Sequence, residues 1–324
     1  MWKRLLIASI LACATFGAIA ADTDYPSRPI RIIDAFSVGG TTDFIVRLIG
    51  PKLTERFGQP IVLETRLGGG GNIGAEYAAR SKPDGYTLFM GLTSALAPAR
   101  SLFPKKLNYD LLKDFAYIST VASAPVVLVA HPSMPVKTVA QFVNFARARP
   151  KQILYGSSGI GAPVHLTMEM LMSRAGMNMV HVPYKGSGIA ISALVAGEIQ
   201  VAFLSIAASI PMINARRVNA LAVSSAQRVG ALPGVPTVAE SGYPGFLMLN
   251  TYGLFAPADT PANIINPLNA EIRRIVQMEE IKTKFAAQAL DASGSTPAEF
   301  KTIVETEVTQ WARVIKDANI TATY

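Results

Sequence analysis

Three times in this chain a short apolar run, mostly β-branched, ends in a glycine-bearing turn that opens a helical pattern, and this repetition limits the possible folds more than any other feature. The first run, 30–36, ends at Phe36 and continues through Ser37, Val38, Gly39, Gly40, Thr41, Thr42 and Asp43 into an amphipathic segment. The second, 153–156, leads into a turn containing Gly159, Ile160, Gly161 and Ala162, with Pro163 suited to a first helical turn. The third ends at Pro183 and Tyr184, ahead of Gly186 and Gly188. Further strand-like runs at 61–64, 87–91, 126–130, 179–184, 199–204 and 220–224 alternate with helical patterns, which predicts an α/β fold with largely parallel sheets. After Gly253 only helical patterns remain, at 261–276, 279–288 and 297–317.

Punctuation divides this series in two. Ser123, Ala124 and Pro125 end one βαβ run, and a Gly- and Pro-containing stretch at 243–255 leads into the helical tail. The expected organisation is one lobe from 21–124 plus 247–324 and a second from 125–246. A chain crossing twice between lobes forms a hinge with a cleft beside it. At each glycine turn the helix start offers free backbone N–H groups and the positive end of the helix dipole, which hold an anion without a basic side chain. The bland alternative for each is a capping turn, with Thr42 or Asp43 capping the first.

Several function classes are excluded by composition. Residues 1–20 have the layout of a secretory signal: Lys3 and Arg4, an apolar run, then Ala18-Ile19-Ala20 as an A-x-A cleavage pattern. Export to the periplasm is therefore expected. Cys13, the single cysteine, falls inside that segment; it is also loosely placed as a lipoprotein cysteine after Ile10-Leu11-Ala12. Cleavage after Ala20 leaves no cysteine for disulfides or thiolate chemistry. A chain that is 50% hydrophobic and 16% charged has a well-filled core. Its formal charge of +8 is scattered, without the clustered basic patch of a nucleic-acid binder. Gly69, Gly71 and Gly74 spell G-x-G-x-x-G, but no acidic residue follows at the end of a second strand as a dinucleotide site requires. The three histidines, His131, His165 and His181, have no metal-ligand spacing and read as structural, and no nucleophile elbow occurs. No catalytic residue, metal or cofactor is expected.

Longer motifs carry a family resemblance across nearly the whole chain: 25–32 (YPSRPIRI), Gly39-Gly40 with Asp43, 58–62 (GQPIV), 69–74, 83–88 (PDGYTL), 180–187 (VHVPYKGS), 220–225 (ALAVSS), 232–240 (LPGVPTVAE) and 253–261 (GLFAPADTP). The chain resembles the substrate-binding proteins of tripartite tricarboxylate transporters, the Bug family. The resemblance implies a type II periplasmic-binding-protein (Venus-flytrap) fold, a monomer that closes around a small carboxylate and hands it to membrane permease subunits. Carried over position by position, it places Phe36, Ser37, Val38, Gly39, Gly40, Thr41, Thr42 and Asp43 in the carboxylate anchor, with Thr93 and Ser94 nearby. The facing lobe would supply Gly159, Ile160, Gly161, Ala162, the turn after Tyr184, and Leu204 with Ser205. Ser37 and Val38 stand where prolines are common, Ala162 where Ser or Thr is frequent, and Leu204 where some members carry an Asp that meets an amino group. A di- or tricarboxylate without an amino group, aliphatic or aromatic, is the expected ligand. The alternatives are a ligand-presenting partner of a membrane sensor, or an enzyme on the same fold.

Overall fold

The computed structural model describes residues 25–321 apart from Ser37. The export segment, Cys13 and Ser37 thus lie outside the described residues.

The first sheet begins with β1 (Ile30–Asp34), α1 (Thr41–Phe57), β2 (Ile61–Thr65), α2 (Asn72–Ala79) and β3 (Thr87–Leu92), followed by two single-turn helices, α3 (Thr93–Leu96) and α4 (Ala99–Leu102). Strand β1 lies between β2 and β3 and is parallel to both, with Ile32 opposite Leu63 and Leu88. Ile30, Ile32 and Ile33 are wholly buried. A strand covered on both faces reads as a continuous apolar run, which is why 30–36 stands out in the sequence.

Next comes β4 (Phe115–Ala130), a 16-residue strand shared by two sheets. It precedes α5 (Val139–Arg147), β5 (Leu154–Ser157), α6 (Pro163–Ala175), β6 (Val180–Pro183), α7 (Ser187–Ala196), β7 (Val201–Ser205), α8 (Ile206–Asn214) and β8 (Asn219–Val223). The chain then returns through β9 (Leu249–Pro257), α9 (Ala262–Val276), α10 (Glu279–Ala286), the short β10 (Asp291–Ala292) and α11 (Pro297–Asp317). Up to Pro125, β4 runs antiparallel to β9; from Val126 it pairs with β7 on one side and, from Val127, with β8 on the other. In the second sheet β5 lies parallel to both β7 and β6.

Two boundaries differ from the sequence expectation. Ser123-Ala124-Pro125, expected to end a run, lies inside β4, because a missing proline N–H costs little where the strand changes partners. Val126 resumes by donating its N–H to Ser224 Oγ at 2.9 Å. The stretch 243–255, expected as a connection, contains most of β9, and β9 and β10 extend strand structure beyond Gly253. Gly253 looks like punctuation in sequence, yet it is there for packing: a Cβ would sit 2.1 Å from Phe300 Cζ of α11.

Helices cover both faces of the sheets. The apolar side of α9, Ile264, Ile265, Leu268, Ile272, Ile275 and Val276, follows the three-and-four spacing of an amphipathic helix and packs with α1 on one face of the first sheet. Helix α11 packs on β4 and α6, carrying Phe300, Val304 and Trp311 into a core that both sheets share.

Candidate ligand cleft

Four helices begin at a single cavity between the two sheets. Thr41 at the start of α1, Pro163 and Val164 of α6, Ser187 of α7 and Ser205-Ile206 at the start of α8 line a space of about 250 Å³. Leu92, Ala124, Pro125, Asn250 and Tyr252 complete it from the strands, with the Gln288–Leu290 turn behind α10. None of these four helix starts carries a side-chain cap. Side-chain caps occur at α5 and α11, from Thr138 and Thr296, whereas α2, α3, α4, α9 and α10 also begin without one, so it is the convergence of the four starts that marks the cavity. An uncapped start leaves its first N–H groups without intrahelical partners, and each start contributes about half a positive charge to the space before it. Among the described residues no Lys or Arg lines the cavity. The positive ends of the helix dipoles are what the lining offers an anion.

Local sequence builds these starts. Gly39, at φ +77°, turns the chain, and extended Gly40 accepts the first helical bond from Phe44 N–H at 2.9 Å. In the second sheet, extended Ala162 precedes Pro163, which lacks the N–H that would otherwise need a partner.

A second cavity of about 330 Å³ adjoins the first through shared Leu92, Ser158 and Pro163. Phe36, Leu102, Ile160, Ala162 and the backbone of Gly69-Gly70 form much of its lining. The glycine run set aside as a dinucleotide motif therefore borders the cleft. Phe36 rests on it: a Cβ on Gly71 would lie 2.7 Å from Phe36 Cζ. Across the gap, a Cβ on Gly161 would lie 2.6 Å from Leu102 Cδ1, so the two walls meet at a glycine.

Each wall is braced from behind. Behind the first turn, Asp34 is fully buried and accepts Phe36 N–H at 3.0 Å; burial raises its carboxyl above the usual range. Asp43 is bonded to Arg47 at 2.8 Å, which lowers its carboxyl and balances its charge. Behind the second turn, Ser157 Oγ accepts Gly159 N–H at 3.1 Å and lies 2.6 Å from His181 Nε2, and His165 Nδ1 accepts Gly161 N–H at 3.1 Å. The two imidazoles stack at 3.9 Å, and a Tyr155–Glu169 hydrogen bond borders them, with Glu169 also 3.7 Å from His165 Nε2. Burial lowers His165 to about 3, helped by the neighbouring imidazole, and burial lowers His181 to about 4. Both are neutral near pH 7, and the bond to the Gly161 N–H requires an unprotonated Nδ1 on His165.

The expected residues divide accordingly. Thr41 and Ser205 reach the first cavity, and Phe36, Gly159, Ile160, Gly161 and Ala162 the second. Thr42 and Asp43 have buried side chains, and only their backbone is at the turn, beside Gly39, Gly40 and exposed Val38. Thr93 and Ser94 are buried too, with Thr93 Oγ1 donating to Thr251 O at 3.3 Å and Ser94 Oγ bonded to Asn250 Oδ1 at 2.9 Å. Tyr184 lies against Gly156 and lines neither cavity; Leu204 packs in the core with Val127, Val129 and Ile206. Leu204 is buried and lines neither cavity. Unforeseen were Leu92, Asn250, Tyr252 and 288–290. They come from strand ends and a late turn that only tertiary pairing brings here.

Comparison with known proteins places this architecture. The sequence profile described as "Tripartite tricarboxylate transporter family receptor" matches residues 45–320. The chain belongs to this receptor family. Protein BugT of Bordetella pertussis is 35% identical, with 97% of each chain covered. A UPF0065 protein from the tcbD-tcbE intergenic region of Pseudomonas sp. strain P51 is 34% identical over 99% of this chain and 95% of that one. Among solved structures, Rpa4515 of R. palustris with adipate superposes with a TM-score of 0.78 at 32% identity, covering 92% of this chain and 99% of the other. MatC (Rpa3494) of Rhodopseudomonas palustris with bound malate gives 0.76 at 30% identity, covering 90% and 100%. This receptor therefore has the periplasmic-binding-protein fold and is a solute-binding protein of the TctC type.

Proposed function

We propose that this receptor reversibly captures a small organic di- or tricarboxylate between two lobes, 21–124 with 247–324 and 125–246, and delivers it to the permease subunits of a tripartite transporter. Export through residues 1–20, action in the periplasm and a monomeric state are part of this reading. The carrying observation is the convergence of four uncapped helix starts on one cavity that no basic side chain among the described residues lines. Such a space favours an anion and is suited to binding a carboxylate through N–H groups. The adjoining less polar cavity, walled by Phe36, Leu102 and Ile160, favours a ligand whose carbon body extends away from the anchored end. Relatives solved with adipate and malate support a carboxylate without an amino group.

The enzyme reading finds one suggestive contact, Ser157 with His181. Ser157 is fully buried and its hydroxyl is engaged with Gly159, so the pair acts as a brace. A thermal-shift screen tests the receptor reading with adipate, malate, citrate, terephthalate and the amino acid glutamate. A ligand bound only by the folded state raises the melting temperature. At least one acid without an amino group should do so and be recovered unchanged. No shift with any acid, or the largest shift with glutamate, would contradict the assignment.

A further inference from the structure

Behind the cleft, on the opposite face of the same strands, lies a separate cavity of about 370 Å³. Strand alternation separates the two: Ala124, Asn250 and Tyr252 line the cleft, whereas Ser123, Leu249 and Thr251 line the rear cavity. Helix α11 closes it with Ile303, Glu307 and Trp311. Its volume lies within the range of small-molecule pockets.

Its chemistry differs from that of the cleft. Glu307 is the one charged residue among the described residues lining it, and no Lys or Arg reaches it. Thr251 Oγ1 donates to Glu307 Oε1 at 3.1 Å, but three buried polar atoms on the lining residues have no protein partner: Glu307 Oε2, Trp311 Nε1 and Ser293 Oγ. Trp311 is 1% exposed. Buried polar atoms are ordinarily satisfied, and three exceptions at one cavity call for an explanation. A carboxylate oxygen accepts, an indole N–H donates, and a hydroxyl does either. The remaining wall, including Leu247, Met248 and Ile303, is apolar.

We propose that the rear cavity is a second binding site, for a small organic ammonium that also carries a hydroxyl group on a compact hydrocarbon. The ammonium donates to Glu307 Oε2 and supplies the missing countercharge; the hydroxyl oxygen accepts from Trp311 Nε1; the hydrocarbon fills the apolar wall. Burial pushes the Glu307 carboxyl up to about 7 although the Thr93 and Thr251 hydroxyls act to lower it, the behaviour of a buried carboxylate with hydroxyl neighbours and no compensating cation. Because Leu247, Met248 and Leu249 lead the chain back into β9, the occupant would sit against the segment that joins the two sheets.

Trp2 and Trp311 are the two tryptophans of the chain. In a full-length Trp2→Phe background, indole fluorescence therefore reports Trp311 alone. Titration with 2-amino-1-phenylethanol should give a saturable change in emission, at an affinity about tenfold or more above that of 2-phenylethanol, which lacks the ammonium. Glu307→Gln should bring the two affinities together while leaving the thermal shift caused by adipate in the cleft unchanged. Should Glu307→Gln not fold, Ile303→Phe, which fills the cavity, should abolish the amine response. The proposal is overturned by no saturable change, by an unchanged preference in Glu307→Gln, by an unchanged response in Ile303→Phe, or by equal binding of 3-phenyllactate in place of the amine. A missing adipate shift would bear on the cleft alone.

Discussion

The two walls of the cleft present the same surface and brace it with opposite chemistry. Both offer backbone N–H groups at glycine turns. The first wall rests on carboxylates, with Asp34 buried against Phe36 N–H and Asp43 neutralised by Arg47. The second rests on neutral imidazoles, with His165 holding the Gly161 N–H and His181 holding Ser157. Charge is kept out of the cavity in both cases, by pairing of Asp43 and burial of Asp34 in the first and by burial of the imidazoles in the second. The difference predicts that the walls fail under different conditions.

The largest effect should come from closing the gap between them. Gly161→Val places a branched side chain at φ +76° where even a Cβ alone would lie 2.6 Å from Leu102 Cδ1. Carboxylate affinity should fall by about two orders of magnitude, roughly 3 kcal/mol. Leu102→Ala should restore part of it if the collision between walls, and not backbone strain alone, is the cause. Calorimetric titration of the single and double variants measures this.

On the first wall, Asp34→Ala removes the acceptor of the Phe36 N–H from a fully buried position, which should cost about 1–3 kcal/mol in denaturant unfolding. Asp34→Asn keeps an acceptor oxygen and should cost less. Equal losses for Ala and Asn would detach the turn from this brace.

The second wall should respond to acid. Folded His165 and His181 have lowered pKa values, about 3 and 4, so the unfolded chain binds more protons below its ordinary histidine pKa of about 6.5. Stability contributed by keeping them neutral is complete above pH 6.5 and declines as pH falls towards 4. The raised carboxyls of Asp34 and Glu169 act in the opposite sense, so the informative quantity is a difference between proteins. Wild type should lose more stability from pH 7 to pH 5 than a His165→Phe, His181→Phe variant. Parallel losses would show that these imidazoles titrate normally.

The smallest effect concerns the asymmetry of caps. Thr296→Ala removes the capping box at the start of α11 and should cost about 1 kcal/mol, whereas Thr41→Ala, at an uncapped start where the hydroxyl bonds Tyr252 and not the helix, should cost less. Similar losses for the two would mean that the side chain of Thr41 supports its helix after all.

Legibility in the sequence followed locality. Glycine turns at 39–40 and 159–161 are contiguous, and their strand–turn–helix order announces itself; the second lines the cleft, and the first is flanked by Phe36 and Thr41, which do. Strand β4 was divided because Pro125 is disruptive within a ladder yet tolerated where partners change, and the partners are strands that follow it by 71 residues or more. Asn250 and Tyr252 are not legible in the sequence because β9 looks like a loop there, its Gly253 being explained only by the close approach of Phe300. Leu204 enters as a candidate through the family resemblance, at a position where some members carry an Asp, but successive strand residues face opposite sides and only its neighbour Ser205 reaches the cavity. The histidine brace joins positions 157, 165 and 181, whose meeting depends on β5 pairing with β6.

The central claim is that backbone N–H groups at helix starts, and no basic side chain, hold the carboxylate. Amide-resolved NMR of the isotopically labelled receptor, titrated with the acid that gives the largest thermal shift, tests it directly. The account predicts saturating downfield shifts of the amide protons among residues 41–43, 187–189 and 206–208, with Lys and Arg side-chain resonances unmoved. Saturating shifts at a lysine or arginine side chain, with those helix-start amides unchanged, would contradict it.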